Sequence, residues 1–130
     1  MPAPAGREPF EPPPGVTPVR DRAEIEARVA ALAPTLRALG VERVRLFGSF
    51  VRGEQTADSD VDLLVNFRYG DDAFRRYFDA IDALERSLGR PVDFVTEPSL
   101  RPHIGRHILR EAVSLSTFPP TAAREVRDAA

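Results

Sequence analysis

Asp60 and Asp62 flank the start of the apolar run Val61 to Phe67 at positions i and i+2. If that run is a strand, its two-residue period puts both carboxylates on one face of a sheet, a few ångströms apart. Carboxylates that close repel each other unless a cation or a shared proton sits between them. Oxygen ligands alone, with no His or Cys beside them, point to Mg²⁺ or Mn²⁺. A third carboxylate, Asp93, lies in the similar run Pro91 to Val95. Were the two strands neighbours, three carboxylates would converge and could hold two divalent ions, the arrangement used for phosphoryl and nucleotidyl transfer. Upstream, Gly48-Ser49 follows another apolar run and precedes a short helical turn that Gly53 closes. Glycine lets the backbone approach an oxyanion closely. Ser49 offers a hydroxyl and an N–H at a helix start, where anions are favoured. Arg52 lies on the same side of that turn and can meet a triphosphate with a planar fork of donors. Alone, Gly-Ser is commonly a turn, and Asp-x-Asp a solvated strand end or a cap. The linked set is far more specific: Gly-Ser, ten residues, Asp-apolar-Asp, and an Asp on a later strand.

These groups need a scaffold to hold them. Asp21 to Glu24 reads as a capping-box-like helix start, with Ile25, Val29, Leu32 and Leu36 following at helical spacing. Pro34 falls inside this helix and predicts a kink, and Gly40 closes it. Val41 to Phe47 alternates as a strand, and Val61 to Phe67 has the apolar character of a central strand buried on both faces. Asp71-Asp72 begin a second long helix whose stripe is Phe74, Tyr77, Phe78, Ile81, Leu84 and Leu88, ended by Gly89. Pro91 to Val95 is the third strand. A last amphipathic helix carries Ile104, Ile108, Leu109, Ala112 and Val113. The fold class is α/β (α+β), a small mixed sheet packed with helices.

Composition narrows the functions open to such a scaffold. The 130 residues allow one domain. Seven of the thirteen prolines lie in residues 1–18, which read as a disordered Pro-rich arm. Residues 19–116 form the folded domain, and 117–130 read as a polar tail. The net charge of −2 disfavours stable nucleic-acid binding as the main task. The absence of cysteine excludes thiolate metal sites and a cysteine nucleophile. All eighteen basic residues are arginine, so no step can depend on a lysine. No apolar run reaches the length of a bilayer span, and no signal-peptide pattern opens the chain. Cytoplasmic residence is the default expectation, with no membrane partner.

The phrases LFGSFVRG, SDVDLLVNF, PVDFVT and ILREAV carry a family resemblance. The sequence resembles the polymerase β-like nucleotidyltransferase superfamily, whose signature is a Gly-Ser about ten residues before an Asp-x-Asp. More narrowly it resembles the minimal nucleotidyltransferases, the antitoxin half of toxin–antitoxin pairs with HEPN ribonucleases. The resemblance covers about Ile25 to Val113. It implies that Gly48, Ser49 and Arg52 bind the nucleotide, that Asp60, Asp62 and Asp93 are the catalytic carboxylates holding Mg²⁺, and that AMP passes from ATP to a hydroxyl of the HEPN toxin encoded by a neighbouring gene. A tyrosine hydroxyl is the acceptor that the resemblance favours. Phe50-Val51 stand where small residues such as Ala are common in that family.

Other residues read more plainly. His103 and His107 have zinc-like spacing on the last helix but no acidic third ligand beside them, so a surface or capping role is expected. Phe74, Tyr77 and Phe78 are expected in the core, and Arg75, Arg76, Arg86 and Arg90 on a solvated face. The catalytic unit takes up most of the chain, and the tails are too polar for a second core, so the acceptor is expected to arrive on its own partner protein. Two alternatives remain open: an aminoglycoside-type adenylyltransferase acting on a small molecule, and a non-enzymatic antitoxin that neutralises its partner by contact.

Overall fold

The first helix starts where Asp21, in extended conformation, accepts the Glu24 N–H at 2.9 Å. Glu24 reaches back to the Arg20 N–H at 2.6 Å, one residue before the cap. The helix, α1, spans Arg22–Ala38 and stays continuous through Pro34. The chain then runs through β1 (Val41–Phe47), the single turn α2 (Ser49–Arg52), β2 (Val61–Phe67), α3 (Ala73–Leu88), β3 (Val92–Thr96), a 3₁₀ turn (Glu97–Ser99), α4 (Pro102–Glu111) and β4 (Val113–Ser114). The computed structural model describes residues 10–118. The expected arm and tail therefore lie outside the described residues over 1–9 and 119–130, as does the side chain of Ile104.

The strands form one mixed sheet in the order β3-β2-β1-β4. β1 pairs antiparallel with β2 and with β4, while β2 and β3 run parallel. Val61, Leu63, Val65 and Phe67 project from one face of β2 into the core. There they meet Ile25, Val29, Ala33 and Leu36 of α1 and Ala80, Leu84 and Leu88 of α3. The other face of β2 carries Asp62, Leu64 and Asn66, of which Leu64 is fully buried. Burying these apolar side chains is the main driving force for the fold. Among the described residues no helix is long and apolar enough to cross a membrane.

The structure corrects the sequence reading in four places. Val113 belongs to β4, opposite Leu46, and not to the last helix. Ala112 turns extended and ends α4 there. Phe74 is 79% exposed and Phe78 52% exposed, so neither is a core residue. The inward row of α3 is Arg76, Ala80, Leu84 and Leu88, with Tyr77 and Ile81 at its border. Phe74 and Phe78 lean on each other instead, their ring centroids 4.9 Å apart. Arg76 and Arg90 are buried rather than solvated, whereas Arg75 and Arg86 are exposed as expected. Finally, packing extends to Phe118, which is buried with the Arg37 guanidinium 4.7 Å above its ring.

The two buried arginines act as anchors between elements. Arg76 donates to the carbonyls of Leu39, Arg68 and Asp71. Gly40 makes room for it, since a Cβ there would lie 2.2 Å from Arg76 Nη1. Arg90 donates to the carbonyls of Val19, Thr56, Ala57 and Ser59. Its guanidinium also sits 5.1 Å from the ring centroid of Phe50, which explains a large residue in α2: it is core, packed under a cation. Arg90 thereby holds the loop that leads into Asp60. A lysine has three tetrahedral donors and cannot reproduce this fork. Arg90→Lys should destabilise the protein by about 2 kcal/mol, set by the carbonyls left without partners. Urea denaturation measures this, with the exposed Arg75→Lys as a control that should leave the midpoint in place.

Candidate active site

Asp62 is the second residue of β2, and strand register decides its neighbours. Phe47 of β1 lies opposite on one side and Asp93 of β3 on the other. The parallel pairing of β2 with β3 thus sets two carboxylates side by side at one level of the sheet. Asp60 comes two residues earlier, just before the strand, and is exposed. Asp62 is half-buried, and its carboxyl is pushed up to about 6, first by burial and then by the negative charges of Asp93 and Asp60, with Arg52 opposing. Among the described residues no group of three or more acidic or histidine side chains is placed to hold a metal ion. Mg²⁺ does not need one, because it usually keeps several waters and takes one or two carboxylates plus substrate phosphates. A donor set of carboxylate oxygens only, with Asp62 raised first by burial and then by its charged neighbours, fits a hard divalent cation.

After Phe47 the chain turns sharply at Gly48, with φ 81°. A Cβ at Gly48 would lie 2.0 Å from Asp62 Oδ2, so only glycine fits against the carboxylate. Ser49 is half-buried at the first position of α2, and Gly53, left-handed at φ 72°, closes the turn. The structure therefore brings Gly48, Ser49, Asp60, Asp62 and Asp93 to one end of the sheet. Arg52 ends α2 with an exposed side chain, held by Glu54 at 2.8 Å and by Glu111.

Glu111 is the residue the sequence reading did not place here. It sits in the last turn of α4, where its Oε2 accepts the Gly48 N–H at 3.1 Å and its Oε1 accepts from Arg52 Nη1. Burial works to raise the Glu111 carboxyl, but the hydrogen bonds from Arg52 and Gly48 outweigh it and hold it below the usual carboxylate range. No local signal in the sequence marks it, because the contact spans 63 residues. His103 and His107 are exposed on the same helix.

The sheet thus sets Asp62 beside Asp93 on neighbouring strands, against the turn that Gly48 and Ser49 make. Residues 29–115 match the family model of the nucleotidyltransferase domain, and the chain belongs to that family. The protein adenylyltransferase MntA of Thermococcus cleftensis is 41% identical over 91 residues, which are 69% of this chain and 91% of that one. A solved minimal nucleotidyltransferase is 40% identical and superposes with a TM-score of 0.64, covering 72% of this chain and 95% of its own. The MNT antitoxin solved in complex with a tri-AMPylated HEPN toxin of Shewanella oneidensis shares the fold at 17% identity, with a TM-score of 0.55 over 79% of this chain and 78% of that one.

The raised Asp62 carboxyl gives a signed expectation for stability. Its folded value of about 6 lies above its ordinary 3.8, so folding favours the protonated form. The associated stability is present at low pH and is lost as pH rises through 6. Asp62→Asn should therefore stabilise the metal-free protein above pH 6, by on the order of 1 kcal/mol after allowing for water access. The gain should fade below about pH 4, where Asp62 is neutral anyway. Thermal denaturation in EDTA across this range reads it. A gain of equal size at both ends would show that charge repulsion is not its origin.

Proposed function

We propose that the chain is a Mg²⁺-dependent protein adenylyltransferase. It transfers AMP from ATP to a hydroxyl of a HEPN-type toxin encoded by a neighbouring gene, and so acts as the antitoxin, in the cytoplasm. The observation that carries this reading is the register that sets Asp62 beside Asp93 while Gly48 packs against Asp62. The likeness to MntA and to the MNT–HEPN complex supports the choice of acceptor.

This reading gives each residue a role. Gly48 and Ser49 receive the triphosphate on the turn after β1, and Arg52 adds a charged fork at the end of that turn. Asp60, Asp62 and Asp93 would hold the divalent ions, two in number, which would supply charge neutralisation on the phosphates and a lowered pKa for the attacking hydroxyl. Asp60 and Asp93 are exposed, so the carboxylate end is open to an acceptor carried on a second protein. The acceptor oxygen bonds to the α-phosphorus, the bond to the bridging oxygen of the β-phosphate breaks, pyrophosphate leaves, and the hydroxyl proton is released to solvent. Stable nucleic-acid binding and membrane attachment form no part of this reading.

The direct test incubates the chain with labelled ATP, Mg²⁺ and the neighbouring gene product. The partner's mass should rise by one or more AMP units, and excess EDTA or Asp62→Ala should abolish the rise without unfolding the chain. A partner of unchanged mass, with AMP on an aminoglycoside-like small molecule, would favour the small-molecule reading. Neutralisation that survives Asp62→Ala would favour an antitoxin acting by contact alone. At the phosphate end, Ser49→Ala and Arg52→Lys should each raise the KM for ATP by about tenfold, the worth of one charged or hydroxyl contact. Unchanged steady-state kinetics in both variants would make Gly48-Ser49 an ordinary turn.

A further inference from the structure

The Glu111 carboxylate is a two-point clip, with one oxygen on the Gly48 N–H and the other on Arg52. Strand pairing explains how it gets there. β4 sets Val113 opposite Leu46 and Ser114 opposite Arg45. Continued outward, the same register brings residue 111 opposite Gly48. The backbone at 111 is helical and cannot continue the ladder, so the side chain takes over and accepts the N–H that a longer strand would have bonded. Two residues of strand thus locate one carboxylate.

We propose that Glu111 is a positioning residue for the triphosphate, acting through Gly48 and Arg52. This rests on the reading of those two residues as the phosphate end of the site. Gly48 is buried at a positive φ of 81°, and it has no side chain of its own to fix its orientation. Glu111 gives its N–H a fixed partner. Arg52 has a second carboxylate, Glu54, but that side chain is 65% exposed, whereas Glu111 is 15% exposed. Glu111 is therefore the better-held of the two and sets where the guanidinium points. Glu54 takes Nε and Glu111 takes Nη1, so the fork retains N–H groups for a phosphate while clipped. The clip pre-organises the donors before nucleotide arrives.

The test measures the affinity of the full chain for a non-hydrolysable ATP analogue with Mg²⁺, alongside KM and kcat for AMP transfer. Glu111→Ala should weaken analogue binding and raise the KM for ATP about tenfold, with a smaller fall in kcat. Glu111→Gln keeps an oxygen for the Gly48 N–H and should recover part of the loss. In the Arg52→Ala background, Glu111→Ala should add clearly less than it does alone, since much of its effect runs through Arg52. Should Glu111→Ala fail to fold, Glu111→Gln carries the same comparison. Unchanged affinity, or additive losses with Arg52→Ala, would overturn the inference. So would tighter binding in Glu111→Ala, since the carboxylate would then be occupying the place of a phosphate. If Arg52→Ala and Ser49→Ala leave analogue affinity untouched, the phosphate reading itself fails. If they weaken it and Glu111→Ala does not, only the role of Glu111 is lost.

Discussion

Asp62 sits where three negative charges and a partly dry environment meet, and the sheet gives it nowhere else to go. β2 and β3 are locked in parallel register from Val61 opposite Val92 to Val65 opposite Thr96. The Asp62–Asp93 pairing cannot relax without breaking that ladder. Like charges held this way are unfavourable at one end of the sheet, and the rest of the local structure answers that repulsion. Gly48 leaves the carboxylate its space. Arg52 opposes the negative charge on Asp62, and Glu111 keeps Arg52 nearby. Arg90 fixes the loop that delivers Asp60. A cation between the carboxylates would relieve that repulsion.

The parts of this arrangement written in short stretches of chain were legible from the sequence. β1 and β2 fall at the expected bounds, because Val41–Phe47 and Val61–Phe67 are continuous apolar or alternating runs bounded by glycine and polar residues. The turn at Gly48-Ser49 and its closure at Gly53 were legible too, because both need backbone conformations that glycine favours. The sequence left open whether β2 and β3 are neighbours, the condition on which the three-carboxylate reading depended, and the sheet order makes them so.

What was not legible depends on distant partners. β4 is two residues long and has no periodicity of its own, so it exists only because the outer edge of β1 is open beside it. Glu111 looks like any helical glutamate until that pairing brings it to Gly48. The phase of α3 was misjudged because hydrophobicity alone ranks Phe74 and Phe78 as core. The helix instead turns Arg76 inward, since carbonyls at Leu39, Arg68 and Asp71 wait there for a cation. The displaced rings line a shallow groove with Phe67, Tyr69 and Tyr77. It lies toward the Phe67 end of β2, away from the carboxylates.

Arg76 and Arg90 share a property with a consequence for how such a chain can drift. The hydrogen bonds that each donates go to main-chain carbonyls. Any residue that keeps the same backbone path presents the same acceptor, so the identities of residues 56, 57, 59, 68 and 71 are not constrained by these bonds. In the loop before Asp60 the side-chain constraint comes instead from the Ser59 and Thr56 hydroxyls, which accept the N–H groups of Thr56 and Asp58. The constraint from the carbonyl bonds is concentrated on two arginine codons, where a single conservative exchange would release several connections at once.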